Sequence, residues 1–319
     1  MLKKEGSLNM FFNLFRRKNK EEDTVNTQED VKQNHENTKT KVISEIPFEE
    51  KIIYLLEGKE AAFPRGFEKE KYFTVAKEVY ESSNAKDVIE KIKITRLTEN
   101  VAGYCIPKVC NNKLLITIVI EEFKLGINSP SKVVLKDDKC IEFRNILAHE
   151  IIHAEDEKRI IDEYGEKEYQ AIIDNEIAKL GKTILTEYTA CRKAAENYAY
   201  FDSTEDIKKK VNGIDAYLGY KEINAIQFEN PGEKELEYAR DLNYAIATWC
   251  AFADVSNEYE KKLHVPTYIK KHKEYTKYIL SVRSLLRANY EKQPLNEEKY
   301  QKLGQQIMSE LATIYSMNN

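Results

Sequence analysis

Ile146-Leu147-Ala148-His149-Glu150-Ile151-Ile152-His153-Ala154 is apolar at every position except two histidines and the glutamate that follows the first. In an α-helix, residues four apart stand one above the other on one face, so His149 and His153 aim their imidazoles at one point. A helix apolar on all sides is a buried helix. Burying two imidazoles and a carboxylate without partners costs several kcal/mol. A shared metal ion offsets that cost. H-E-x-x-H is the spacing in which two histidines grip zinc with the glutamate beside it as general base. Histidine is scarce, 5 in 319 residues, and chance yields the pattern about once in a hundred such chains. The competing reading is a pair of satisfied core histidines.

Working outward, the motif helix is expected from about Ile141 to Ile161, with Tyr164-Gly165 as its stop. Upstream lie apolar, β-branched runs. Val101–Ile106 and Leu114–Ile120 read as strands parted by Pro107 and Asn111-Asn112, and Val133-Val134-Leu135 as a short third. Earlier still, Phe48–Leu56 and Phe67–Tyr80 read as helices punctuated by Pro64 and Gly66. Downstream, residues 167–180, 182–200, 234–259, 267–290 and 297–315 lack internal proline and read as helices. Tyr275, Tyr278, Val282, Leu285 and Leu286 form a core-facing stripe in the fourth of these, as do Tyr300, Leu303, Ile307, Leu311 and Ile314 in the last. Residues from about Arg16 to Ser44 are polar and aperiodic, and cannot bury enough apolar surface to order themselves. The expected organisation is a polar leader over 1–45, a metal-binding domain over 46–202 and a helical region over 203–319. The fold class is α+β, predominantly α-helical.

Composition narrows the function classes. At 42% hydrophobic and 33% charged residues the chain is a polar globular protein. A formal net charge of -4 speaks against general nucleic-acid binding, which wants a basic face. Cys105, Cys110, Cys140, Cys191 and Cys250 are odd in number and scattered, as reduced thiols of a cytoplasmic protein are. No run reaches the ~18 apolar residues of a transmembrane helix. Residues 10–18, Met10-Phe11-Phe12-Asn13-Leu14-Phe15-Arg16-Arg17-Lys18, run from aromatic to basic and offer at most a weak membrane-surface contact.

A zinc hydrolase site needs a third protein ligand. Asp156 and Arg159 stand where a metzincin would carry glycine and histidine, so that branch is excluded. A glutamate from a following helix is the remaining common solution. Glu176 is favoured if one continuous helix folds straight back from Gly165; Glu187 is favoured if the chain breaks near Gly181 and a fresh helix returns past the site.

An apolar strand, the H-E-x-x-H helix and a later helix carrying Glu187-Tyr188-Thr189-Ala190 together resemble the ImmA/IrrE-like branch of the gluzincin-type zincin metallopeptidases. In that branch E-x-x-A supplies the third ligand, and its small alanine lets the helices approach. The resemblance covers about residues 100–200, and the two motifs carry it. It implies a zincin-like core with a small sheet beside the motif helix and added C-terminal helices. It also implies Zn²⁺ at His149, His153 and Glu187, Glu150 as catalytic base, and a protein or peptide substrate. Tyr188, Arg192, His264 and His272 are candidates to stabilise the oxyanion, and strand Leu114–Ile120 or its neighbour a candidate edge for an extended peptide. The alternative function is a non-catalytic, zinc-containing regulatory or partner-binding helical protein.

Overall fold

The computed structural model describes residues 46–97, 101–110, 113–129, 132–133, 137–198, 232–255 and 273–316. The expected leader, residues 10–18 within it, Val134, Leu135, His264 and His272 lie outside the described residues. The fold is α+β and mostly helical, and the chain divides into two compact units. One comprises the described residues up to Lys108 together with Leu115–Leu147. The other comprises Val109–Leu114 and the residues from Ala148 onward.

The first unit is built on a five-stranded mixed sheet. It opens with α1 (Phe48–Lys51), β1 (Ile52–Leu56), β2 (Lys59–Ala61), α2 (Lys69–Ser82) and β3 (Ile89–Thr95). There follow β4 (Gly103–Cys110), β5 (Lys113–Glu121), a 3-10 turn (Glu122–Leu125), and the two-stranded pair β6 (Ile127–Ser129) and β7 (Lys132–Val133). Strand order is β2-β1-β3-β5-β4, with β1, β3 and β5 mutually parallel and β2 antiparallel to β1. Ile52, Ile92 and Ile118 align across the three parallel strands and all three are buried. Tyr72, Ala76, Val79 and Tyr80 form the buried face of α2, and the Tyr72 ring meets Phe143 with centroids 5.7 Å apart. The Tyr72 hydroxyl donates to Leu125 O at 3.0 Å.

Two expectations need correction in this unit, and one strand was not expected at all. Helix over Phe48–Leu56 gives way after Lys51, because the short apolar run Ile52–Leu56 pairs on both sides and turns back through Glu57-Gly58 into β2. Periodicity alone does not separate a short buried strand from a helical turn. Strand β3 was not foreseen, although Ile92 and Ile94 alternate with Lys91 and Lys93 as a half-buried strand does. Finally β4 runs through Pro107 instead of stopping before it. It lies at the sheet edge, where a missing N–H need not break a ladder bond. The same order makes β5 interior and places its neighbour β4 at the end of the sheet, so Leu114–Ile120 itself is not an edge strand.

Among the described residues of the second unit five helices follow one another. Helix α3 (Asp137–Asp174) enters it at Ala148 and is interrupted at Gly165, whose φ of 83° and ψ of 171° leave the helical region. Positive φ is cheap only for glycine, which explains the residue at this bend. Then come α4 (Glu176–Tyr198), α5 (Glu233–Val255), α6 (Lys273–Tyr290) and α7 (Glu297–Ser316). Helices α4 to α7 all belong to this one unit. Helix α4 packs along both α5 and α7.

The break before α4 is at Asn175, not Gly181. The Asn175 side-chain oxygen accepts from Ile177 N and Ala178 N at 3.1 Å each, which is an N-cap. Its amide donates to Glu297 Oε1 at 2.5 Å, tying the start of α4 to the start of α7. Gly181 lies within α4 and serves a different purpose. A Cβ there would collide with the Tyr300 carbonyl oxygen, and a Cβ on Gly304 with that of Ile177, so α4 and α7 cross backbone to backbone. A second clasp joins three helices: Tyr188 donates to Asp254 Oδ2 at 2.5 Å, and Arg283 donates to Asp254 Oδ1 through Nε at 2.8 Å and Nη2 at 2.5 Å. Gly181→Ala and Gly304→Ala should each destabilise the protein by about 1–3 kcal/mol in chemical denaturation. A variant as stable as the parent would show that this crossing is not closely packed.

Candidate metal centre

His149 and His153 stand one turn apart on α3, their rings nearly perpendicular at 81° with centroids 4.7 Å apart. Their Nε2 atoms face each other at 3.1 Å. Glu187, from the middle of α4, places Oε2 3.5 Å from His149 Nε2 and 3.4 Å from His153 Nε2. Helices α3 and α4 come this close because Ile152, between the two histidines, packs on Ala190 and Ala194 in a buried cluster. A larger residue at Ala190 would push Glu187 away.

The three ligand atoms fit a metal ion. A tetrahedral ion with ligands about 2.0–2.1 Å away spaces any two of them about 3.3 Å apart. The three observed separations bracket that value. The state of Glu187 points the same way. Its side chain is 4% exposed, and Oε2 is buried and accepts no hydrogen bond. A buried carboxylate oxygen without a donor is costly unless a cation meets it. Burial opposes charge on both Glu187 and His149, but their mutual attraction outweighs it. The Glu187 carboxyl is held well below its usual range, and His149 well above its own. In the absence of a metal this pair keeps a proton that a metal would have to expel.

The other carboxylate oxygen is fully engaged. Glu187 Oε1 accepts from the Cys191 thiol at 3.2 Å and from the Thr248 hydroxyl at 3.3 Å. Thr248 belongs to α5, as does Tyr244, whose hydroxyl is hydrogen-bonded to the Glu187 carboxylate and lies in the field of Cys191 and Glu150. Burial, and then the negative groups around it, raise the Tyr244 phenol well above its usual value, so it stays a proton donor. Glu150 is buried at 5% exposure directly after the first histidine. Among the described residues His149, His153 and Glu187 are the group of metal-ligating type that converges.

The remaining candidates fall elsewhere. Glu176 is 63% exposed in the first turn of α4, beside Lys179. The straight fold-back that favoured it fails because the chain bends twice, at Gly165 and again at Asn175. Tyr188 and Arg192 are committed to the clasp: Arg192 donates to the Tyr188 hydroxyl at 3.1 Å and to Glu196 at 2.9 Å. Cys191, Thr248 and Tyr244 were missed. Only Cys191 left a trace in the sequence, one helical turn beyond Glu187; nothing local marks two residues of a distant helix.

No protein-family model matches the chain, and neither a curated protein nor a solved structure is significantly similar to it. The chemistry therefore rests on the residues themselves. Purified protein should hold about one divalent metal ion per chain, and His149→Ala and Glu187→Gln should each lower affinity at least about 100-fold, while Glu176→Gln leaves it unchanged. Affinity of the parent should fall about tenfold per unit as pH drops below the ordinary imidazole value of about 6.5, because protonation of the raised His149 competes with the metal. Metal content by mass spectrometry and chelator competition check both. Equal affinity in the Glu187 and Glu176 variants would refute the ligand set.

Proposed function

We propose that this protein is a zinc-dependent hydrolase, a metallopeptidase of the ImmA/IrrE-like zincin kind acting on a specific protein or peptide. The observation that carries the reading is the convergence of His149 Nε2, His153 Nε2 and Glu187 Oε2, with Oε2 buried. Three protein ligands leave a tetrahedral ion one position for water, the arrangement of catalytic rather than structural zinc. Zinc bound there supplies a water acidified to a pKa of about 7 and a Lewis acid toward a carbonyl.

The chain's own groups do the rest. Glu150 is the general base: it takes the proton of the attacking water and returns it to the leaving amine. Tyr244 donates a hydrogen bond to the oxyanion that develops on the scissile carbonyl, a role its neutral phenol suits at physiological pH. His149, His153 and Glu187 orient the site, and the apolar residues flanking them, Ile151, Ile152 and Ala190, keep bulk water from the ligands. Among the described residues no helix is long and apolar enough to cross a membrane.

The test is cleavage of a peptide library, read by mass spectrometry, with parent and Glu150→Gln protein at equal zinc content. Glu150→Gln should lower the rate about 10²–10⁴-fold with zinc retained. A fully active Glu150→Gln variant would refute the mechanism. A zinc-loaded parent that cuts nothing, in the library or in lysate proteins, would favour a non-catalytic zinc protein.

A further inference from the structure

We infer that Cys191 is a positioning residue of the metal centre, whose thiol dictates which oxygen of Glu187 and which nitrogen of His149 face the ion. The inference rests on the metal-binding part of the function proposed above, and adds the device that orients two of the three ligands.

Cys191 follows Glu187 by one turn of α4 and is 5% exposed. Its sulfur is 3.2 Å from Glu187 Oε1 and 3.8 Å from His149 Nδ1. These are the outer atoms of the two side chains. The inner atoms, Oε2 and Nε2, are the ones that converge with His153. The sulfur thus backs the ligands and does not sit among them.

A thiol has a single proton to give. Donated to Oε1, it leaves the sulfur lone pairs facing His149 Nδ1. That nitrogen must then carry the ring's N–H, since two lone pairs would otherwise oppose each other. A neutral imidazole protonated at Nδ1 presents its lone pair at Nε2. Ligating histidines commonly have their other ring nitrogen held in this way, although the partner is usually a carboxylate, a carbonyl or water. Here one thiol serves a histidine and a carboxylate together. Thr248, brought by α5, shares its one hydroxyl proton between the Tyr244 carbonyl oxygen at 3.0 Å and Oε1 at 3.3 Å, and lies 3.9 Å from the Cys191 sulfur. With Oε1 turned toward the thiol and the Thr248 hydroxyl, Oε2 is left to the ion.

The experiment compares full-length parent, Cys191→Ala, Cys191→Ser and Thr248→Val by zinc competition against a chromophoric chelator. Cobalt-substituted absorption spectra and melting of the metal-stripped proteins accompany it. Cys191→Ala and Thr248→Val should each weaken zinc about 10–100-fold, and Cys191→Ser, which keeps a donor, should stay within about threefold of the parent. Metal-stripped melting should change little in any variant, and the parent's cobalt spectrum should lack a thiolate charge-transfer band. Affinity of Cys191→Ala within about twofold of the parent overturns the inference. So does a thiolate band that vanishes in Cys191→Ser, since the sulfur would then be a ligand. If Cys191→Ala fails to fold, Thr248→Val with Cys191→Ser decides. A parent that binds no zinc overturns the metal centre and this inference together; a zinc-binding parent indifferent to Cys191 overturns the inference alone.

Discussion

A carboxylate buried to 4% exposure, with one oxygen facing a thiol and a hydroxyl and the other set between two imidazoles, is the constraint on which the second unit turns. Taking Glu187 out of water costs several kcal/mol, which two imidazole edges alone repay only by capturing a proton. The protein nevertheless surrounds these groups on their own helix with apolar residues, Ala148, Ile151, Ile152 and Ala154. Bare polar atoms in a well-packed interior call for a partner, and three donors spaced near the edge of a tetrahedron describe what that partner is.

The surrounding helices can be understood as what holds Glu187 to that point. Asn175 caps α4 and so sets where its turns begin. The reciprocal contact of Gly181 and Gly304 draws α4 against α7 at backbone distance. Near the C-terminal half of α4, Tyr188 is clasped through Asp254 to Arg283 of α6, a buried network in which removing one member would strand a charge. Helix α5 supplies both Asp254 to this clasp and Thr248 to the carboxylate. The C-terminal helices are therefore part of the centre's framework, because the ligand helix is fixed from both sides by residues up to Gly304.

How far the sequence foretold this follows from how local each signal is. The histidine pair is written in five residues of one helix, and Ala190 lies one turn from Glu187, so both motifs were readable. Strand β5 was readable for the same reason, being nine residues of nearly continuous apolar character. Choosing Glu187 over Glu176 from residues alone was not possible, since it depends on a second bend at Asn175 whose capping role shows only against Ile177, Ala178 and Glu297. Gly181 was mistaken for a break because a glycine that ends a helix and one that lets two helices touch look alike in sequence. Strand β1 was mistaken for helix because its identity comes from partners 40 residues away. Thr248 and Tyr244 carry no motif at all.

The central claim is that one zinc ion is held by two imidazole nitrogens and one carboxylate oxygen, with sulfur behind them and water before them. X-ray absorption at the zinc edge of the zinc-loaded protein tests it most directly. The account predicts a first shell of nitrogen and oxygen at about 2.0–2.1 Å with the outer-shell signature of two imidazoles. A first shell containing sulfur at about 2.3 Å, or one without imidazole, would contradict it.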